Sequence, residues 1–164
     1  MSTRAIAELR RAGIGHEVHE YEAPAAAAGG RGERPSYGLD AAAALGVDPH
    51  RIFKTLVAAV DGRLAVAIVP VAGELDLKSL ADALGGRRAE MADPAAAERA
   101  TGYVVGGISP IGQRRLLPTV LDSSSTSHAT ILVSAGRRGL QVELAPGDLA
   151  AVTKARIAPI ARID

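Results

Sequence analysis

Lys54, inside the run RIFKTLVAAVDGRLAVAIVP (51–70), is a primary amine in an otherwise apolar segment. The run reads as two β-strands joined at Asp61-Gly62, with Lys54 in the middle of the first. Side chains alternate across a strand, so Ile52, Lys54, Leu56 and Ala58 share one face, while Phe53, Thr55, Val57 and Ala59 share the other. Both faces are mostly apolar, as expected of a strand covered on two sides. A lysine can lay its stem on apolar surface and lift the amine to water. Two details point instead to a bound anion. An unpaired charge mid-strand costs several kcal/mol. Lysine is also rare in this chain, which has three (Lys54, Lys78, Lys154) beside many arginines. A phosphate or carboxylate would relieve the cost, with lysine serving as a compact point charge.

Two glycine-rich stretches supply complementary groups. In VVGGISPIG (104–112), Gly106 and Gly107 let the backbone approach a ligand, and successive N–H groups can converge on an oxygen. The plainer reading is an ordinary loop, since a Gly-Gly pair is a weak signal. In SAGRRGL (134–140), a hairpin tip bounded by glycines carries two arginines, either as a solvated turn or as a phosphate contact with Ser134 facing a pocket. Catalytic triads are not supported: His128 follows a serine run, but no spacing designates a nucleophile or an orienting acid. The residues alone therefore specify an anion-binding pocket without a protein general base.

Composition narrows the classes further. Nineteen basic and 18 acidic side chains leave a net charge of +1, which excludes the strongly basic footprint of a duplex-coating protein but permits a local basic patch. With no cysteine there is no disulfide, thiolate metal site or cysteine nucleophile. The histidines (His16, His19, His50, His128) are scattered, and HEVH lacks the helical zinc spacing, so no metal is expected. Few aromatics (Phe53, Tyr21, Tyr37, Tyr103) argue against a stacking platform for bases. No run approaches the roughly 18 apolar residues needed to span a bilayer, and the charged N-terminus is unlike a signal peptide, so a cytoplasmic protein without membrane contact is expected.

These residues must be positioned by a chain that reads as one domain over 1–164. STRAIAELRRAG predicts a helix with a Ser/Thr cap and Gly13 as its stop, and HEVHEYE a strand. Ala23 to Ser36 is an Ala/Gly/Pro-rich loop, and LDAAAALGVDP a short helix ending at Gly46. After the hairpin come a helix over Gly73–Gly86 capped by Asp76 and another over DPAAAERATG with Pro94 first. GYVVGGISPIGQRRLLPTVLD predicts a strand, a glycine turn and a second strand. SSSTSHA is a polar loop, TILVSAGRRGLQVEL a hairpin and PGDLAAVTKA a closing helix. Hairpins mixed with crossovers predict a mixed-sheet α/β (α+β) domain rather than a doubly wound one.

The segments IFKTLVAAVDGRLAVAIVPVAGELDLKSLADALG, EMADPAAAERATGYVVGGISPIG and VSAGRRGLQVELAPGDL resemble the YbaK/EbsC family, relatives of the prolyl-tRNA synthetase editing domain that deacylate mischarged tRNA. The likeness spans nearly the whole chain and is strongest to the branch that hydrolyses Cys-tRNA(Pro). It implies a barrel-like mixed sheet of six or seven strands flanked by helices, and a cofactor-free, metal-free site around the strand lysine. By motif, Lys54 is then catalytic. Tyr21, Thr55, Gly106, Gly107, Ile108, Ser109, Pro110 and Ser134 bind the substrate. In such editing the substrate's own thiol attacks its ester, so no protein nucleophile is needed. The implied partners are the tRNA(Pro) acceptor end and prolyl-tRNA synthetase; neither the docking face nor the oligomeric state is written in the sequence. Where the family often carries an acid after Gly-Leu, this chain has Gln141, and its 23–36 loop is long enough to form a rim at the tRNA entrance. Gln141 keeps a sister deacylase for Ala-, Ser- or Thr-charged tRNA open. The missing general base keeps open a non-enzymatic module that binds a nucleotide or tRNA end.

Overall fold

A computed structural model describes residues 2–23 and 37–163, so the expected rim from Ala23 to Ser36 lies, Ala23 apart, outside the described residues. Helix α1 (Arg4–Arg11) starts at Thr3, whose hydroxyl accepts the Ile6 N–H at 3.2 Å and donates to the Ala135 carbonyl at 2.5 Å. One side chain thus caps the helix and ties it to the later hairpin. Strand β1 (Glu17–Glu20) and helix α2 (Tyr37–Leu45) follow.

The hairpin of β2 (Phe53–Val60) and β3 (Arg63–Pro70) is antiparallel from Phe53–Pro70 to Val60–Arg63. Asp61 and Gly62 both take positive φ (51° and 81°), the combination that a two-residue hairpin turn with native twist requires. Lys54 is the second residue of β2, near its start rather than mid-strand as the sequence suggested.

Beyond Pro70 the sequence reading needs correction. Gly73–Leu75 form a short strand, β4, and the helix begins only at α3 (Leu77–Ala83), where Asp76 accepts the Ser79 N–H at 3.1 Å. Strand β5 (Ala89–Met91) precedes α4 (Pro94–Thr101), with Asp93 as cap, Pro94 at the first turn and Gly102 as the left-handed stop. Val104 and Val105 form no strand and are exposed; the strand of this region is β6 (Thr119–Asp122), followed by a 3₁₀ turn at Ser123–Ser127. Then come β7 (Ile131–Arg137), β8 (Leu140–Leu144), α5 (Pro146–Thr153), β9 (Arg156–Ala158) and β10 (Ala161–Ile163).

The strands form a mixed five-stranded sheet, β5-β2-β3-β6-β9, a three-stranded antiparallel sheet, β1-β8-β7, and the pair β10-β4. The fold is mixed α/β as expected. The described residues contain ten strands in three sets, not one sheet of six or seven, and no closed barrel is found among them. Backbone pairing between the two larger sheets is, among the described residues, one parallel bridge, Ile52 with Leu132, accompanied by the Leu132 N–H on the Arg51 carbonyl at 3.1 Å. Strand β7 is otherwise laddered to β8.

Three apolar clusters cover these sheets. Ile6 and Leu9 of α1 pack with Phe53, Ile68, Leu121, Val133 and Val142 on one side. Leu80 and Ala81 of α3 pack with Ala58, Ala67, Val69 and Val120 on the other. A third cluster sets Ala41 and Ala42 of α2 on Ile52, Val71 and Leu132. Each fully buried Leu, Ile or Phe contributes roughly 1.5–3 kcal/mol.

Candidate active site

Alternation along β2 places Lys54 on the face of Ile52, which belongs to the α2 cluster, and of Leu56 and Ala58, which pack in the α3 cluster. Lys54 therefore stands in the gap between two helices that cover the same face. It is half-buried, and among the described residues its amine has neither a hydrogen bond nor an ion pair. Burial lowers its pKa below the ordinary lysine range, an effect that the charge of Glu74 opposes. An unpartnered, partly desolvated cation is a site prepared for an anion.

Strand register relates the next residues. Ile52 bridges Leu132 in parallel, and two residues along β7 Ser134 stands on the same face as Leu132. Ser134 is paired with Gln141, and Gln141 with His19, in a row across β7, β8 and β1. The Ser134 hydroxyl accepts the Gly136 N–H at 3.2 Å. Gln141 is only 7% exposed, and its side-chain oxygen is buried without a partner.

The row is anchored by a polar cluster that the sequence reading missed. Glu143, on the face of Gln141, accepts from His19 Nε2 at 2.8 Å and Thr130 Oγ1 at 2.5 Å, and pairs with Arg51. The Thr130 hydroxyl first, then His19 and the Arg51 guanidinium, holds the Glu143 carboxyl below its ordinary range. Glu17, His19 and Glu143 have ligand atoms within 4.8 Å of one another, but Glu143 is already committed to Arg51 and Thr130. The only trace of this cluster in sequence is the parity of Gln141 and Glu143 on one strand face.

The glycine loop closes one end. A side chain at Gly107 would place its Cβ 2.7 Å from the Arg137 Cα, and one at Gly106 would meet the Tyr37 ring at 3.1 Å. Gly106 also takes φ +95°, open to glycine and strained for other residues. The Arg138 guanidinium lies 4.7 Å over the Tyr37 ring, so the first residue of α2, the β7–β8 tip and the glycine loop meet at one point. Neither Tyr37 nor Arg138 was singled out in sequence as part of this junction, because their meeting depends on three elements distant along the chain. Tyr21 packs on the α2 cluster and donates its N–H to the Gly139 carbonyl at 3.0 Å, which fixes β1 to the same tip.

Three of the expected residues are placed differently. Thr55 faces the opposite side of β2, toward the α1 cluster, with its hydroxyl buried and unpartnered. Ser109 is fully buried; its hydroxyl accepts the Ile111 N–H at 3.2 Å and its carbonyl accepts from Gln113 at 3.0 Å. Pro110 is buried beside it, while Ile108 is half-buried. Ser109 thus shapes the glycine loop from beneath. Tyr21, Gly106 and Gly107 meet around α2 and the β7–β8 tip, and strand alternation puts Lys54 on the face of β2 that α2 covers.

Residues 37–152 match the family model described as the aminoacyl-tRNA editing domain. The chain is 44% identical over 121 residues to an Enterococcus faecalis protein provisionally named Cys-tRNA(Pro)/Cys-tRNA(Cys) deacylase EbsC, covering 73% of each. It is 35% identical over 104 residues to the proline–tRNA ligase of Moorella thermoacetica, covering 63% of this chain and 18% of that protein. A solved structure, provisionally described as a trans-editing enzyme for prolyl tRNA synthetase, superposes with TM-score 0.80 at 25% identity, over 97% of this chain and 95% of that one. No helix among the described residues is long and apolar enough to cross a membrane. The chain belongs to the aminoacyl-tRNA editing domain family and, with it, to the aminoacyl-tRNA hydrolases.

Proposed function

We propose that this protein is a trans-editing deacylase that removes cysteine from Cys-tRNA(Pro), its 164 residues acting as one cytoplasmic editing domain. The observation that carries the reading is the half-buried Lys54 amine, which has no hydrogen bond or ion pair among the described residues; the reading sets it in a cleft with α2, the β7–β8 tip and the glycine loop. Lys54 holds the anionic acceptor end, with Tyr21, Ser134 and the backbone of Gly106 to Pro110 shaping the pocket around the ester. Thr55 supports it from the far face of β2. The likeness to a relative named for Cys-tRNA(Pro) and to a proline–tRNA ligase supports both the substrate and a complex with prolyl-tRNA synthetase.

The reading assigns no nucleophile to the protein, with the Ser134 hydroxyl accepting the Gly136 N–H, because the cysteine ester brings its own. Its thiol sulfur bonds to the ester carbonyl carbon, the bond from that carbon to the ribose oxygen breaks, and the thiol proton ends on that oxygen. The cyclic thioester then opens in water. The pocket's part is orientation and stabilisation of the developing negative charge.

Hydrolysis of Cys-tRNA(Pro), Ala-tRNA(Pro) and Ser-tRNA(Pro), side by side, tests this. Rapid loss of cysteine with serine retained supports thiol assistance, because serine differs by one atom. Equal loss of both overturns it in favour of an attacking water. Binding without turnover leaves a nucleotide-binding module. A second reading, a deacylase for Ala-, Ser- or Thr-charged tRNA, is favoured by one feature: buried Gln141 offers the pocket an unpaired neutral amide.

A further inference from the structure

Beyond the cleft, the glycine loop continues into an open groove of about 410 Å³ lined by Arg99, Gly102, Tyr103, Val104 and Arg114. Gly102 has no side chain, and a Cβ there would lie 2.7 Å from Arg4 Nη1 and 3.8 Å from Arg114 Nε. Two guanidinium groups therefore meet over one glycine, with Arg99 on the adjoining turn of α4. Among the described residues none of the three forms an ion pair. The one acid lining the groove, Glu98, accepts the Val105 N–H at 2.8 Å and is tied to the backbone.

This cluster is held firmly. The Arg114 N–H donates to the Thr101 carbonyl at 2.9 Å and the Arg115 N–H to the Ala100 carbonyl at 3.1 Å, which clamps the loop to the end of α4. The groove also adjoins the cleft. A Cβ at Gly136 would lie 3.0 Å from the Tyr103 ring, and Gly136 stands two residues from Ser134. Val104, 72% exposed, leads within two residues to Gly106.

We propose that Arg4, Arg99 and Arg114 bind phosphates of the RNA strand whose aminoacylated end occupies the Lys54 cleft. The inference rests on the function proposed above: an RNA held by its end must run out across an adjoining surface, bringing one phosphate per nucleotide. Guanidinium forks match phosphate oxygens in pairs, and clustered unpaired arginines repel one another until an anion arrives. Phosphate contacts position the strand without reading its sequence.

The test is binding of uncharged tRNA by fluorescence anisotropy between 50 and 200 mM salt, using the full chain and the double variant R99A/R114A. The expected result is a slope of log affinity against log salt shallower by about 0.7–0.9 per arginine, with affinity at 50 mM reduced on the order of tenfold for each. R99K/R114K should keep the slope. R87A/R88A removes the same charge at the opposite end of β2, where both backbone N–H groups bind Asp61, and should also keep it. An unchanged slope in R99A/R114A, or an equal change in R87A/R88A, overturns the proposal. So does a loss confined to titrations with prolyl-tRNA synthetase, which would make the groove a protein-docking face. Because the tRNA is uncharged, a wild type without turnover but with the expected slope change would remove the deacylase reading and keep the groove.

Discussion

Replacing Lys54 by methionine separates the charge of this residue from its packing. The stem keeps its length between the α2 and α3 clusters, and only the ammonium is lost. Unit charges about 4 Å apart attract by about 4 kcal/mol at an effective dielectric of about 20, which sets a ceiling near ~1,000-fold on one such contact. Part of that attraction is already present in the bound ground state, and Lys54 is only half-buried. The expected fall in kcat/KM is therefore about 100-fold, or ~2.7 kcal/mol, the usual loss for one preorganised electrostatic contact. Stability should move the other way. Burial depresses the amine's pKa in the folded state, so the folded chain holds this proton less tightly than the unfolded chain does. At neutral pH the protonated amine thus opposes folding, and stability rises as pH climbs through its folded pKa. Lys54→Met should hold or raise the thermal midpoint. Deacylation of Cys-tRNA(Pro) and a melting curve on the same preparation read both effects. In wild type, activity that depends on the charged amine should fail on an alkaline limb below the ordinary lysine value of about 10.4. An unchanged rate in Lys54→Met would refute the role given to the charge, and a drop in activity matched by unfolding would refute the reasoning about burial.

Gly107→Ala should cost both activity and stability, because its Cβ would meet the Arg137 Cα at 2.7 Å and push the hairpin tip off the glycine loop. A loss of about 1–3 kcal/mol in chemical unfolding, with at least ~10-fold in kcat/KM, is expected; wild-type activity would mean that the junction yields freely. Glu143→Gln should destabilise by about 1–3 kcal/mol at neutral pH, since it breaks the charge-assisted bonds to Arg51 and His19. The Glu143 pKa is depressed by folding, so its contribution exists above the unfolded value and fades as pH falls through the folded one. Acid titration of the variant should accordingly show a weaker pH dependence than wild type, and superimposable curves would show that the cluster adds nothing. Tyr103→Phe removes the 2.6 Å bond from the phenol to the Ile111 carbonyl and should cost about 1–2 kcal/mol. Burial pushes the Tyr103 pKa up to about 12, so this contribution is complete below pH ~10 and is lost as pH rises toward that value. Alkaline unfolding should therefore begin earlier in wild type relative to its own neutral stability, and identical profiles would count against it.

The helices, the main hairpin and the motif residues were legible in the chain itself, because each is set by local chemistry. Thr3, Asp76 and Asp93 cap their helices through their own side chains, and Asp61-Gly62 supplies the positive φ that its turn demands. Lys54 stood out because a lone amine in an apolar strand violates the pattern around it. The three-residue strands β4, β5, β9 and β10 could not be seen this way, since so few residues hold barely one alternation. Val104 and Val105 misled for the opposite reason: their β-branched apolar character suits a strand, yet among the described residues no strand pairs with them, and partners decide sheets. The same limit governs the site. Sequence named Lys54, Ser134 and the glycine pair separately. Only the pairing of β7 with β8 and of β8 with β1 set Ser134, Gln141 and His19 in one row, and only the folded loop spent the Ser109 hydroxyl on its own backbone. Residue types and turns are chosen within a few positions of the chain, whereas register and burial are chosen by partners far along it.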